Sequence, residues 1–146
     1  MQPVFVLSRS FWGLVWLIFL SLPVTAQTVY KPIPFTVNSE INDTLTDKDI
    51  PTGEGGFARD YLVKLQSGDQ LAVDLVSDDF DAIILLLAAD GSTIAENDDG
   101  PDGSTNALLF ARVTETGDYI VRVRAFGETG GGKYSPVSYT HLRAHE

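Results

Sequence analysis

The side chains best suited to chemistry are seven carboxylates in two short stretches of the chain. They are Asp78, Asp79, Asp81, Glu96, Asp98, Asp99 and Asp102. The first three precede the apolar run 82–88, and the others follow the short strand pattern 93–95. If those strands form a hairpin through Asp90-Gly91, the carboxylates gather at one open end of the fold. Such hard oxygen ligands suit Ca²⁺, which takes about six to eight of them.

These carboxylates do not follow the pattern of a standard calcium loop. Asp98 to Gly103 begins like an EF-hand loop, but Gly100 stands where the third ligand belongs. Leu109 stands where a bidentate Glu is required, so we exclude an EF-hand. The alternative is that Asp and Asn side chains here bond to their own backbone and form turns, while the acidity serves solubility.

The composition provides few of the residues that other kinds of catalysis require. The chain has 146 residues, no cysteine and two histidines, His141 and His145, both in a terminal stretch that we interpret as non-native. Without them no histidine remains for general-base or zinc chemistry. No serine lies in a Gly-x-Ser-x-Gly elbow, and only Phe80 accompanies the carboxylates as an aromatic platform. We predict no enzyme activity in this segment and no cofactor apart from the candidate Ca²⁺.

The two ends of the chain carry patterns of their own. Residues 1–26 combine one positive charge at Arg9, an apolar core from Phe11 to Leu20, and small residues before a cleavage site after Ala26, as a secretory signal peptide does. Residues 27–34 are a linker. Residues 137–146 match, in one reading frame, the translation of a transposase-based sequencing adapter. We therefore expect the native chain to continue past Pro136, and any catalytic region to lie downstream.

The net charge limits the possible partners, and the signal peptide limits the cellular compartment. The formal net charge is −10, which argues against nucleic acid and other anionic partners. The apolar core of the signal is about half of a membrane span, so no stable membrane insertion is expected after cleavage. We predict an exported protein that is periplasmic, cell-surface or extracellular.

The middle of the chain, residues 35–136, reads as an all-β domain. Strand patterns occur at 35–37, 44–45, 61–65, 71–75, 82–88, 93–95, 109–113, 119–124 and from 133. The run 82–88 is continuously apolar, which predicts a strand buried on both faces. Short strands with turns between them predict a β-sandwich. Its expected core anchors are Tyr61, Leu71, Val73, Ile83, Leu85, Leu87, Tyr119, Val121 and Val123.

Two surface features complete the pattern. Arg122 and Arg124 share one strand face, which predicts a solvated face paired with neighbouring acids, the alternative being a docking face. The triplet Asn42-Asp43-Thr44 matches the acceptor pattern for N-linked glycosylation, which matters only in a eukaryotic host.

Five blocks of sequence together resemble the bacterial pre-peptidase C-terminal domain. They are Asp60-Tyr61, Leu65 to Asp69, Asp78 to Asp81, Glu96 to Gly100, and Glu115 to Tyr119 followed by Val121-Arg122-Val123. The resemblance covers roughly Phe35 to Tyr134. It implies a jelly-roll-like antiparallel sandwich of about eight strands.

The resemblance also implies a function. Such a domain is a non-catalytic accessory module of exported enzymes such as peptidases, with an attached or neighbouring catalytic domain, an extracellular polymer or a protein as its partner. A stand-alone, calcium-stabilised carbohydrate- or protein-binding module of the cell envelope is the alternative. The chain departs from the family at its closing strand, where Leu is usual at the position of Pro136, so we expect that strand to be truncated.

Overall fold

The computed structural model describes residues 30–101 and 103–141, which form ten strands and one short 3-10 turn at Gly127–Thr129. The predicted signal peptide, Asp102 and His145 lie outside these residues. The strands are β1 (Ile33–Pro34), β2 (Asp43–Thr44), β3 (Ile50–Pro51), β4 (Phe57–Leu65), β5 (Gln70–Val76), β6 (Ala82–Leu87), β7 (Thr93–Asn97), β8 (Ala107–Arg112), β9 (Gly117–Ala125) and β10 (Lys133–His141).

The strands form two sheets. The first has the order β1-β4-β9-β6-β7, with β3 on the same edge of β4 as β1, and the second has the order β2-β10-β5-β8. Every pair is antiparallel except β1 with β4. The predicted all-β architecture is confirmed, as is the β6–β7 hairpin. Within the described segments no helix is long and apolar enough to span a bilayer.

The main core lies between the two sheets. Alternate side chains of a strand point to opposite faces, so one half of β4, β5 and β9 faces inward. Tyr61, Leu71, Val73 and Val121 are all fully buried there. Burying each large apolar side chain contributes about 1.5–3 kcal/mol, and their burial holds the sheets together.

Strand β6 is buried on both of its faces, as its unbroken apolar run predicts. Ala82, Ile84 and Leu86 join the main core. Ile83, Leu85 and Leu87 are also buried, but they form a second cluster with Ile120 on the outer face of the first sheet. The expected anchors are therefore all buried, yet they belong to two clusters rather than one.

The structure differs from the strand predictions near the two ends of the domain. The first strand is Ile33–Pro34, not 35–37, because Phe35 turns its ring into the core against Tyr61, with centroids 5.7 Å apart. Strand β3 was not predicted.

Strand β10 extends from Lys133 to His141 and pairs with β5 over residues 135–141. It therefore includes residues 137–141, which resemble adapter translation. Pro136 and Ser138 both occupy inward, buried positions of this strand. Whether those residues are native stays a prediction.

Candidate functional site

A groove of about 430 Å³ opens where β2, the end of β5 and the start of β10 meet. We call it the Asp43 groove. Its lining residues are Asn42, Asp43, Thr44, Val76, Ser77, Asp78, Asp79, Lys133, Tyr134 and Ser135. Three carboxylates therefore line one concave surface, beside a buried tyrosine.

Arg59 lies next to the groove and joins two loops that precede its own strand. Its guanidinium donates to Asp49 through Nε at 2.6 Å and through Nη2 at 2.8 Å, and its Nη1 is paired with Asp43. Asp49 also accepts hydrogen bonds from the backbone N–H and the hydroxyl of Thr46. The arginine thus ties the β2 and β3 segments to β4.

Two buried tyrosines extend this network across the sandwich. The Tyr61 hydroxyl donates to Asp43 at 2.9 Å and lies 2.5 Å from the Tyr134 hydroxyl. Tyr61 belongs to the first sheet and Tyr134 to the second, so their contact links the two layers. The Tyr134 ring also packs edge-on against Phe80, with centroids 5.9 Å apart.

The network fixes the ionisation of its members. Burial disfavours the carboxylate of Asp43, but hydrogen bonds from Arg59, the Thr44 N–H and Tyr61 outweigh it and lower its pKa. Burial raises the pKa of Tyr134 to about 12, and burial together with the hydrogen bond to Tyr134 raises the pKa of Tyr61. Both tyrosines are therefore protonated at neutral pH.

The outer face of the first sheet carries a second polar cluster. Asp60 is buried and accepts hydrogen bonds from Arg122 Nε at 2.7 Å and Nη2 at 2.8 Å, and from the Tyr30 hydroxyl. Arg124 pairs with Glu54 at 3.1 Å. The prediction that both arginines pair with neighbouring acids is confirmed, and Tyr30 fastens the incoming chain to this face.

The seven predicted calcium ligands fall at several places in the fold. Asp78, Asp79 and Asp81 lie in the loop between β5 and β6, Glu96 lies in β7, and Asp98 and Asp99 follow β7. Asp102 is not among the described residues.

The described bonds near these carboxylates are structural. The Asp79 carboxylate accepts the Lys133 N–H at 2.7 Å and so fixes the start of β10. The Asp99 N–H donates to the Asn97 side chain at 3.0 Å. The register places Glu96 opposite Leu85, on the edge strand β7. Within residues 30–101 and 103–141, no three acidic or histidine side chains are arranged to hold a metal ion. The calcium site stays a prediction.

Sequence reasoning missed the roles of Asp43, Asp49 and Arg59. One signal for them exists in the pattern of β4. Arg59 shares the inward phase of Tyr61 and Val63, and a cation at an inward position requires an anionic partner. That signal indicates that Arg59 pairs with an anionic side chain, but it does not identify which one.

The fold and its sequence can now be compared with known proteins. Residues 58–125 match the family of the bacterial pre-peptidase C-terminal domain. All five blocks that carry the sequence resemblance start and end inside this stretch, so the resemblance is confirmed. Among curated proteins, none matches the chain.

Two solved structures share the fold of this pre-peptidase C-terminal domain. The pre-peptidase C-terminal domain of collagenase from Bacillus anthracis has a TM-score of 0.58 at 11% identity, covering 77% of this chain and 98% of that one. A periplasmic inhibitor of g-type lysozyme from Aeromonas hydrophila has a TM-score of 0.52 at 14% identity, covering 76% and 100%. At such identities the likeness concerns the fold alone.

Proposed function

We propose that this domain is a non-catalytic accessory module of an exported bacterial protein, in which it engages a partner region or an extracellular polymer or protein. The family match of residues 58–125 carries the proposal. The chemistry of the Asp43 groove supports it. The polar atoms of Arg59, Tyr61 and Tyr134 are engaged in hydrogen bonds that join strands. The pKa of both tyrosines is raised, so both are protonated at neutral pH.

The test is a sequencing read of the source DNA across codon 136 and onward. We expect the frame to continue without the adapter-like residues 137–146 into a longer coding region with catalytic motifs. The accessory role is then measured by deleting residues 27–136 from that longer protein. Turnover of a small soluble substrate should persist, whereas binding to or turnover of the polymeric or protein substrate should fall. Loss of both to the same extent would contradict an accessory role.

A stand-alone, calcium-stabilised binding module is the second candidate. The observation in its favour is that Asp78 and Asp79, two of the predicted ligands, line the Asp43 groove. A stop codon soon after residue 136 and a melting temperature that rises with about 1 mM Ca²⁺, a concentration typical of extracellular sites, would support it. The rise should disappear in Asp78→Asn and persist in Asp47→Asn, an exposed carboxylate outside the groove. Equal melting in Ca²⁺ and in EDTA would exclude it.

A further inference from the structure

The segment that leads into β2 presents three polar side chains to solvent. Glu40, Asn42 and Thr44 are exposed, while Ile41 and Asp43 between them are partly buried. In an extended segment, residues two apart face the same side. The pairing of Glu40 with Val137 and of Asp43–Thr44 with β10 shows that the segment is extended along the edge of the second sheet.

Asn42 and Thr44 are free for a reaction in the folded domain. In the described part of the chain, neither the Asn42 amide nor the Thr44 hydroxyl makes a hydrogen bond. Asn42-Asp43-Thr44 has the acceptor pattern of N-linked glycosylation, with a residue other than Pro between Asn and Thr. Of the asparagines in the sequence, only Asn42 has Ser or Thr two residues later.

Glu40 places an acidic side chain beside the acceptor triplet. Its carboxylate lies two residues before Asn42 on the same exposed side and accepts a hydrogen bond from the Ser135 hydroxyl at 2.9 Å. A carboxylate at this position can be held by charge in a cationic groove of the transferring enzyme. The segment Glu40-Ile41-Asn42-Asp43-Thr44 therefore adds an exposed acidic side chain to the acceptor triplet.

We propose that Asn42 is an N-glycosylation site of the exported protein. The donor is an oligosaccharide linked to a lipid through pyrophosphate. The Asn42 amide nitrogen forms a bond to the anomeric carbon of the first sugar, and the bond from that carbon to the pyrophosphate oxygen breaks. The amide proton leaves to a base and the lipid pyrophosphate departs. This inference rests on export, because the transfer takes place outside the cytoplasm.

The place of Asn42 in the fold gives the modification a physical consequence. Edge strands expose unpaired backbone groups that can pair with another chain. The segment 40–44 forms the outer edge of the second sheet next to β10. Since the Asn42 side chain points to solvent, a glycan there covers this edge without displacing a core residue. The modified chain should fold as before and should aggregate less.

The experiment expresses the full chain in a bacterium that carries an oligosaccharyltransferase and its lipid-linked oligosaccharide. The intact mass of the periplasmic protein is then measured by mass spectrometry. We expect one added glycan mass on the wild type and none on Asn42→Gln or Thr44→Ala. Glu40→Gln should lower the occupied fraction at least fivefold. Asp47→Asn is the control, since Asp47 is exposed and the new asparagine lies outside any acceptor triplet, and this variant should keep the single glycan.

Failure of the glycosylation proposal and failure of export give different results. If the chain stays in the cytoplasm, export fails, and replacing residues 1–26 with the signal of a known exported protein repeats the glycan test independently. If periplasmic protein carries no glycan while a control acceptor protein in the same cells does, the glycosylation site is refuted and the proposed function stands. Full occupancy in Glu40→Gln would refute the role of the carboxylate.

Discussion

The charge of Arg59 is important to the structure, because it pairs with two carboxylates from different segments, Asp43 in β2 and Asp49 before β3. Its side chain is 20% exposed and that of Asp49 is 11% exposed. We expect Arg59→Met to lower the free energy of unfolding by about 1–3 kcal/mol, since it leaves Asp43 and Asp49 without their cation. Urea unfolding at neutral pH measures the change.

Lys64 supplies the matched control for that substitution. It pairs with Asp118 at 2.7 Å on the open surface, where the two side chains are 78% and 50% exposed. Lys64→Met should cost less than about 1 kcal/mol, because exposed ion pairs contribute little. Equal losses in the two variants would show that Arg59 acts as an ordinary surface residue.

Asp43 gives the stability a pH dependence of known sign. Its pKa is lower in the folded state than its ordinary value of 3.8, so folding favours the ionised form. The resulting stabilisation is complete above the unfolded pKa and is lost as the pH falls through the folded one. We expect the advantage of the wild type over Asp43→Asn in urea to shrink between about pH 5 and pH 2.5. Asp47→Asn, which removes an exposed charge, should show no such convergence.

At the scale of elements, the buried side chains of β10 change abruptly from apolar to polar along the strand. Its inward positions run from Tyr134 through Pro136 to Ser138, so apolar filling ends where the adapter-like residues begin. The Pro136 carbonyl accepts the Ile41 N–H. Its missing N–H therefore lies on the same side and faces the segment 40–44, so the proline removes no hydrogen bond to β5. The change from apolar to polar side chains at the buried positions leads us to predict that the residues after Pro136 are not native to this core.

Replacing Ser138 tests that interpretation of β10. Its hydroxyl makes only long contacts, 3.3 Å to the Thr36 carbonyl and 3.5 Å to the Ser39 carbonyl, and both carbonyls have other donors. We expect Ser138→Val to raise the free energy of unfolding by about 1 kcal/mol through apolar burial. Val137→Thr, on the outward side, should change it by less than about 0.5 kcal/mol. A destabilised Ser138→Val would mean that the serine is part of a native core.

The same elements explain how far the sequence predicts this fold and where it stops. The unbroken apolar run of β6 and the alternation of β5 are properties of single segments, so both strands are visible before folding. Strands β1 and β3 have two residues each and form only because the edge of β4 is there to pair with. The contacts of Arg59 with Asp43 and Asp49 likewise depend on two loops that fold back, and local patterns cannot specify them.

At the scale of the whole molecule, export is the prediction on which the proposed exported role and the glycosylation site depend. Val24 and Ala26 are small residues at the two positions before the cleavage site that signal peptidase reads, and Thr25 lies between them. We expect periplasmic protein to begin at Gln27, by N-terminal sequencing or intact mass. Ala26→Phe should accumulate the uncut precursor, because the peptidase pocket admits only small side chains. Thr25→Phe, which places the same bulky side chain at the position that is not read, should be cut normally. Uncut, cytoplasmic wild type would refute export, and cleavage of Ala26→Phe would place the site elsewhere.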